Sequence, residues 1–476
     1  MNERPNVVLI CVDQWRGDCL SIAGHPVVQT PYLDGLALSG ARFNRAYTAC
    51  PSCIAARASL YTGLTQRTHG RVGYQDGVAW NYPVTIASEF TRQGYQSQAV
   101  GKLHVYPERS QVGFQNVELH DGYLHYARDH HSDQSEVDDY IQWLRRETGR
   151  PDADYHETGL HCNTFVARPW DKEEYLHPTN WVTSRSIDFL RRRDPRKPYF
   201  LYMSYHRPHP PFDPPAWAFE QYMRLQMPDP PRGDWAKSLP WSTPSLHPDL
   251  SYGRLSEAAM QQARAGYYGH MTHIDHQINR FLETLYQNRK ERTIVCFVSD
   301  HGELLGDHDH WRKTLPYEGS ARVPLLLRGP NVPAGAVCDD VVELRDVMPT
   351  LLDCAGLEVP ASVEGHSILP RLRGDKNVPW REYLHGEHAY YGQSVHYIVD
   401  GKRKYIWLSG TGQEQLFDLA NDPTELHDIA AKATDDLNQM RGWLIKELTG
   451  REEGYVAGNK LVTGRPVKSV LSHLLK

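Results

Sequence analysis

An uninterrupted apolar run near the N-terminus, NVVLICV from Asn6 to Val12, most constrains the fold. Such a run is typical of a strand buried on both faces of a sheet. Further runs, YQSQAVGK, PYFLYMSYH, TIVCFVSD and RVPLLLRG, alternate with helical patterns as far as Gly356. This order predicts an α/β domain with a large, mixed but mostly parallel central sheet. Functional residues collect at the carboxyl ends of such strands, which is where Asp13, Lys102, His206, His209 and Asp300 fall.

The pattern changes after Leu372. Short strand-like segments, YLHGEHA, SVHYIVD, KYIWLS and EQLFDL, are separated by Gly and Asp turns and followed by the helical stretch DLNQMRGWLIKEL. This predicts a smaller antiparallel sheet packed with a helix. We therefore expect a main α/β domain over 1–372 and an α+β subdomain with a tail over 373–476. Two insertions rich in His, Trp, Tyr and Pro, 105–179 and 210–252, are expected to line or cover a site.

Composition excludes several classes of partner. The formal net charge of -6 gives no support for nucleic-acid binding or a polybasic membrane contact, and no segment approaches the length of a membrane span. The N-terminal MNERPNVVLICVDQ superficially suggests a secretory signal, but its apolar run is too short and lacks a small-residue cleavage site. The eight cysteines resemble scattered reduced thiols. These features predict a cytoplasmic protein.

A candidate nucleophile lies in the segment CIAARASLYTG, from Cys53 to Gly63. Its small residues predict a helix that begins near Cys53, where unpaired backbone N–H groups and the helix dipole favour a reactive thiolate or an anion. Arg57, one turn later, would add a cation for an anionic substrate. From these residues alone, a buried structural thiol is an equally good interpretation.

A second constellation predicts a metal site. Asp13 and Gln14 follow the first strand, and Asp300 and His301 follow the strand TIVCFVSD. Two carboxylates at the ends of buried strands repel each other unless a cation or a proton lies between them. The mainly oxygen ligand set favours Ca²⁺, Mg²⁺ or Mn²⁺ over Zn²⁺.

The segment CIAARASLYTG resembles the maturation signature of the type I sulfatases, in the alkaline phosphatase superfamily. That signature is Cys, any residue, Pro or Ala, any residue, Arg, with a Thr-Gly close. The matching residues are Cys53, Ala55, Arg57, Thr62 and Gly63. The resemblance implies an alkaline-phosphatase-like sandwich and oxidation of Cys53 to formylglycine by a maturation enzyme. Cys50 lacks the arginine and the Thr-Gly at matching offsets. Ala55 replaces the more usual proline.

Other motifs extend the resemblance along the chain. GKLH is similar to the family's GKWH, and HRPHPP, WRKTLPYE and QLFDLANDPTELHDIA are also typical of sulfatases. The resemblance implies that Lys102 stabilises the nucleophile's alkoxide, that His104 takes its proton when sulfate leaves, that His209 protonates the leaving group and that Lys313 contacts sulfate. It also implies one metal, usually calcium, with ligands at Asp13, Gln14, Cys53, Asp300 and His301. Many members carry Asp where this chain has Gln14.

The sequence therefore predicts a sulfatase that cleaves a sulfate ester, either of a saccharide or of an aryl or alkyl alcohol. A phosphonate monoester or phosphodiester hydrolase with the same nucleophile is the close alternative. A noncatalytic homologue that binds sulfated glycans is the remote one. Tryptophans 170, 181, 235 and 241 would permit stacking on a sugar, and the C-terminal tail could serve a homo-oligomer interface. A second metal site at Asp307, His308 and His310 is less favoured than roles as supporting loop residues.

Overall fold

A computed structural model describes residues 4–243, 247, 251–287, 292–375 and 377–475. The strands in these ranges are β1 (Asn6–Asp13), β2 (Ala41–Phe43), β3 (Ala46–Tyr47), β4 (Gln96–Gly101), β5 (Asn116–Leu119), β6 (Tyr199–Pro208), β7 (Thr293–Ser299), β8 (Arg322–Val323), β9 (Leu325–Arg328), β10 (Ala336–Cys338), β11 (Val342–Glu343), β12 (Leu384–Tyr390), β13 (Gln393–Val399), β14 (Arg403–Leu408), β15 (Glu414–Asp418), β16 (Val456–Ala457) and β17 (Lys460–Leu461).

The α-helices in the same ranges are α1 (Pro31–Leu38), α2 (Cys53–Thr62), α3 (Gln66–His69), α4 (Ile86–Arg92), α5 (His125–His130), α6 (Asp139–Thr148), α7 (Pro178–Arg192), α8 (Ala216–Met223), α9 (Glu257–Tyr286), α10 (Glu318–Ala321), α11 (Val347–Cys354), α12 (Leu369–Leu372) and α13 (Thr434–Leu448). Short 3₁₀ turns connect several of them. Among the described residues, no helix combines the length and apolar character needed to cross a bilayer.

The main sheet has eight strands in the order β10-β2-β9-β7-β1-β6-β4-β5. Only β9 pairs antiparallel with its neighbours there, so the predicted mixed, mostly parallel sheet is confirmed. The run RVPLLLRG, predicted as one strand, is divided at Pro324: β8 pairs with β3 in a small separate sheet, and β9 joins the main sheet. Proline lacks the N–H that a continuous ladder needs.

Strand β1 is buried on both faces, as its apolar run predicts. Val8, Ile10 and Val12 belong to one core, against which α7, α8 and α9 pack. Their neighbours Val7, Leu9 and Cys11 belong to the core on the opposite face, which α2, α4 and α11 cover. The sheet therefore lies between two layers of helices. The ends of its strands lie at two opposite edges of this sandwich, where loops connect the strands to the helices.

The C-terminal region forms the expected antiparallel sheet, in the order β12-β13-β14-β15, with α13 packed on it. Lys404 is fully buried and fastens this sheet to α10, donating hydrogen bonds to Glu318 (2.7 Å) and Glu425 (2.8 Å). The C-terminal tail returns to the main domain, where the Leu471 N–H donates to the Gly70 carbonyl at 2.8 Å. The domain boundary at residue 372 stays a prediction.

All eight cysteines lie among the described residues. Each is buried and none is in a disulfide. This confirms the prediction of scattered reduced thiols.

Candidate active site

Four adjacent strands of the main sheet, β7, β1, β6 and β4, deliver polar side chains to one edge. Asp13 ends β1, Asp300 follows β7, Lys102 follows β4 and His209 follows β6. At Gly101 (φ +98°) a Cβ would lie 1.9 Å from the Ser204 carbonyl oxygen, so a glycine is needed for the chain to turn there. The turn brings the Lys102 Nζ to 2.5 Å from Asp13 Oδ2.

Cys53 is the first residue of α2, as predicted, and it is 2% exposed. Its Sγ lies 3.1 Å from His301 Nε2 and 3.6 Å from Asp13 Oδ1. Burial and the charge of Asp13 oppose ionisation of the thiol, but nearby cations, led by Lys102, outweigh them and hold the pKa of Cys53 well below its usual value. The side chain is therefore placed where an activated nucleophile is favoured.

Arg57 lies one turn further along α2 and is fully buried. Its guanidinium donates to Asp300 Oδ2 (3.0 Å), the Lys102 carbonyl (2.8 Å), Tyr202 Oη (3.1 Å) and Ser204 Oγ (3.0 Å). The sequence predicts that Arg57 offers its charge to an anionic substrate, whereas in the structure its guanidinium contacts Asp300 and neutral groups. It lies behind the carboxylates and is not among the residues that line the cavity.

Four of the five predicted metal-binding residues converge. The ligand atoms of Asp13, Cys53, Asp300 and His301 all lie within 4.8 Å of one another, and all four residues are buried. Burial and the charge of Asp13 raise the pKa of Asp300. Two buried carboxylates whose repulsion raises the pKa of one of them are a suitable site for a divalent cation, whose charge would offset that repulsion. The donor set thus fits the predicted metal.

Gln14 lies beside this group in a left-handed conformation (φ 70°). Its backbone N–H donates to Asp300 Oδ1 at 3.1 Å, and its side-chain oxygen accepts a hydrogen bond from Lys313 Nζ at 2.7 Å. The side-chain amide donates to Glu303. The three residues Gln14, Lys313 and Glu303 therefore form a chain of hydrogen bonds that ends at the metal group.

The two candidate proton carriers differ in their surroundings. His104 Nε2 lies 3.7 Å from Asp76 Oδ1. Burial and the charge of Lys102 act to lower the pKa of His104, but its contacts with Asp76 and Cys53 have the larger effect, so the pKa is raised. His209 donates from Nδ1 to the Pro210 carbonyl at 2.9 Å, which leaves Nε2 for the cavity. Burial, reinforced by the Lys313 charge, holds the pKa of His209 well below its ordinary value.

A cavity of about 410 Å³ opens above these groups. Cys53, Lys102, His104, His209 and Lys313 line its floor. The remaining lining residues, which sequence reasoning did not single out for the site, are Ser52, Tyr74, Tyr123, Leu124, His125, Cys162, Asn163, Ser251, Trp311, Arg312, Thr314, Tyr390 and Tyr391. Six of these thirteen come from the two insertions, which were expected to line or cover a site, and Tyr390 and Tyr391 come from the β12–β13 hairpin of the C-terminal sheet.

Several aromatic and polar residues considered for the site serve the fold instead. Tryptophans 170, 181, 235 and 241 are 2–6% exposed and belong to hydrophobic cores, and the lining tryptophan is Trp311. Asp307 pairs with Arg16 at 2.7 Å. His308 accepts from the Gly233 N–H, and His310 from Trp241 Nε1. These contacts match the supporting roles favoured from the sequence.

Comparison with known proteins identifies the class to which this fold and site belong. A family model described as Sulfatase matches residues 5–357, and one described as N-sulphoglucosamine sulphohydrolase, C-terminal, matches residues 306–452. The fold is that of the alkaline-phosphatase-like hydrolases. Within that class, the chain belongs to the sulfatase family, because the first match spans well over half of its length.

Individual relatives agree with this assignment. An arylsulfatase of Clostridium perfringens is 51% identical over 99% of this chain and 100% of its own length. A choline-sulfatase of Rhizobium meliloti is 29% identical over 92% of this chain and 84% of its own. The crystal structure of a phosphonate monoester hydrolase of Agrobacterium radiobacter superimposes with a TM-score of 0.76 at 28% identity, over 94% of this chain and 95% of that one. The chain is a sulfuric ester hydrolase, so the noncatalytic alternative is not retained.

Proposed function

We propose that this chain hydrolyses aryl sulfate esters through a formylglycine made from Cys53 and one divalent cation. The observation that carries the proposal is the position of Cys53. It begins a helix at the floor of the cavity, with the metal-binding group beneath it and two lysines and two histidines around it.

Asp13, Gln14, Asp300 and His301, with the side chain at position 53, would hold the cation. Ca²⁺ fits the oxygen-rich set best, and Mg²⁺ or Mn²⁺ are alternatives. Bound there, a divalent cation supplies positive charge to the nucleophile and to a sulfate oxygen. Arg57 holds Asp300 in place from behind, so we assign it a positioning role.

The formylglycine at position 53 would supply, as its hydrate, one hydroxyl that attacks sulfur and a second whose deprotonation later releases sulfate. Because Cys53 is 2% exposed in the folded chain, a maturation enzyme must reach it before folding is complete. The N-terminal end of α2 adds backbone N–H groups and the positive end of the helix dipole to the same place.

Lys102 and Lys313 provide the charges that bind sulfate. Each is already held by another member of the site, Lys102 by Asp13 and Lys313 by Gln14, so neither has to be reoriented when charge develops in the transition state. His104, whose raised pKa reflects its contact with Asp76, is suited to hold the proton taken from the second hydroxyl.

His209 is assigned to the leaving group. The hydrogen bond from Nδ1 to the Pro210 carbonyl leaves Nε2 as the atom that can protonate the departing oxygen. The low pKa of His209 without substrate results first from burial and then from Lys313. A sulfate anion beside Lys313 offsets that positive charge, which favours protonation of Nε2 once substrate is bound.

The walls of the cavity favour an aryl leaving group. Tyr74, Tyr123, Trp311, Tyr390 and Tyr391 surround the space above Cys53, and none of the described lining residues is acidic. Aromatic walls stack on an aromatic ring. The relative at 51% identity, which carries the name arylsulfatase, supports the same class. A sulfated saccharide is the alternative within this reaction.

A phosphonate monoesterase is the second candidate. The phosphonate monoester hydrolase structure covers 94% of this chain at a TM-score of 0.76. A phosphonate monoester and a sulfate monoester each carry one negative charge, so the charge of the metal group does not separate the two candidates.

Mass spectrometry and paired kinetics test the proposal. Protein made with a maturation enzyme is digested, and the tryptic peptide from Ala46 to Arg57 is examined for an aldehyde at Cys53. The matured protein is then given an aryl sulfate and an aryl phosphonate monoester with the same leaving group. We expect conversion at Cys53 and a larger kcat/KM for the sulfate. Cys53→Ala should abolish both activities, whereas the matched variant Cys50→Ala should keep them.

A larger kcat/KM for the phosphonate would favour the second candidate. Activity in a sample whose Cys53 remains a thiol would contradict the formylglycine mechanism. The cytoplasmic location and the homo-oligomer remain sequence predictions.

A further inference from the structure

Three side chains with metal-binding atoms lie together in the cavity wall, outside the proposed catalytic set. They are His125, His161 and Cys162, and one ligand atom from each lies within 4.8 Å of the others. His125 begins α5, and the other two follow in a later segment of the same insertion. His125 and Cys162 also line the cavity that contains Cys53.

Their spacing suits a tetrahedral metal. Cys162 Sγ and His125 Nε2 are 3.3 Å apart. A zinc ion with bonds of about 2.3 Å to sulfur and about 2.1 Å to nitrogen would separate two such ligands by about 3.6 Å. A shift of a few tenths of an ångström would therefore accommodate the ion between them.

The local packing holds these side chains in position. The ring of Tyr123 contacts those of His125 (centroids 5.0 Å apart) and His161 (6.4 Å). The Arg128 guanidinium in turn lies 4.4 Å from the centre of the Tyr123 ring. His161 Nδ1 accepts the Asn163 backbone N–H in a long hydrogen bond of 3.4 Å, which the ring must give up when it binds a metal, because a neutral imidazole has only one nitrogen lone pair to offer. Cys162 is 2% exposed, whereas His125 is exposed, so an ion can enter from the cavity side.

We infer that His125, His161 and Cys162 bind Zn²⁺ in the wall of the cavity, and that the bound ion slows turnover of bulky sulfate esters. Imidazole and thiolate ligands select zinc, whereas the oxygen-rich group at Asp13 and Asp300 selects a hard cation. Three protein ligands leave a fourth position open to water on the cavity side. The ion and its water occupy space that the leaving group needs. This inhibitory effect rests on the proposed function, but zinc binding itself does not.

Cobalt spectroscopy tests the metal site independently of activity. Co²⁺ is added to the matured, Ca²⁺-loaded enzyme, and thiolate-to-cobalt charge transfer is recorded in the near ultraviolet. We expect this absorption in the wild type, its loss on addition of Zn²⁺, and its absence in Cys162→Ser. The matched variant Cys338→Ser, which alters a buried thiol far from the insertion, should keep it. His125→Ala, at an exposed position that folding tolerates, should weaken Co²⁺ binding at least about 10- to 100-fold.

Inhibition is measured separately with a bulky aryl sulfate. Zn²⁺ should lower kcat/KM of the wild type and should have little effect on His125→Ala at the same concentration. A charge-transfer band that persists unchanged in Cys162→Ser would overturn the metal site. Equal inhibition of wild type and His125→Ala would overturn the inhibitory role, since the effect would then arise at the other metal group. Failure of the enzyme to hydrolyse any sulfate ester would contradict the proposed function and leave the cobalt result intact.

Discussion

Replacement of Arg57 tests whether this guanidinium acts on the metal-binding carboxylates or on the substrate. Arg57 donates hydrogen bonds of 2.8–3.1 Å to Asp300, the Lys102 carbonyl, Tyr202 and Ser204. It is 0% exposed and does not line the cavity. We therefore expect Arg57→Lys to alter folding and metal affinity more than substrate binding.

The magnitude follows from these contacts. A lysine ammonium is a point charge on a different stem, so it keeps a positive charge near Asp300 but cannot hold the carboxylate in the same position, and it loses at least two bonds to neutral groups. At about 1 kcal/mol each, these losses lower the free energy of unfolding by about 2 kcal/mol. Arg57→Met leaves Asp300 without its buried partner, for which we expect about 3–5 kcal/mol. Displacement of Asp300 should also weaken Ca²⁺ binding about 10- to 100-fold.

The assay combines three measurements on matured protein. Urea unfolding without metal gives the stability change, calorimetric titration gives the Ca²⁺ affinity, and kinetics at saturating Ca²⁺ give kcat and KM. For Arg57→Lys we expect the first two to fall, with KM near the wild-type value. The matched control is Arg381→Lys, which alters another buried ion pair, with Asp346. It should lower stability without changing Ca²⁺ affinity.

One result would refute this reasoning. If Arg57→Lys keeps its unfolding midpoint and its Ca²⁺ affinity while KM for the aryl sulfate rises at saturating Ca²⁺, Arg57 contacts the substrate directly. The positioning role would then be wrong, and the sequence expectation of a substrate-binding cation would be correct.

Further predictions address other parts of the molecule. Lys313→Ala should lower kcat/KM for an aryl sulfate about 10²- to 10³-fold, while loss of its hydrogen bond to Gln14 changes the urea-derived free energy by only about 1 kcal/mol. Tyr391→Ala, at a 64% exposed position in the cavity wall, should raise KM about three- to tenfold by loss of stacking, with kcat unchanged. Burial raises the pKa of Asp275 from 3.8 to about 7, so stability from this group is complete below pH 3.8 and is lost as pH rises through about 7. Urea titrations across this range should show a shallower decline for Asp275→Asn.

The strand-end residues could be predicted because their signal is local. Asp13, Lys102 and Asp300 each follow an apolar run, and parallel strands bring their carboxyl ends to one edge. Cys53 begins a predicted helix, but only its resemblance to the sulfatase maturation signature distinguishes it from a buried structural thiol. The orientation of Arg57 could not be read from sequence. Its spacing from Cys53 sets the helix face, but whether that face meets the cavity or the carboxylates depends on how α2 packs on the sheet.

The supporting residues carried little local signal. Asp121 accepts the backbone N–H groups of Leu103 (2.7 Å) and His104 (2.8 Å), and so fixes the loop that carries the candidate proton acceptor. Nothing near residue 121 indicates that contact. Glu303 was within reach of sequence reasoning, since it follows directly on the Asp300–His301 turn and binds Gln14.

Substrate preference and reaction chemistry depend on separate parts of this chain, and the hairpin between β12 and β13 contributes to the first. Tyr390 and Tyr391 reach the cavity from this hairpin, while the lysines and carboxylates belong to the main sheet. Both turn residues, Tyr391 (φ 45°) and Gly392 (φ 71°), have the positive φ of a type I′ turn, so the loop can be exchanged for others of the same length without moving the strands. Substrate preference could therefore diverge, in evolution or in a library confined to residues 389–393, while the reaction chemistry is inherited unchanged.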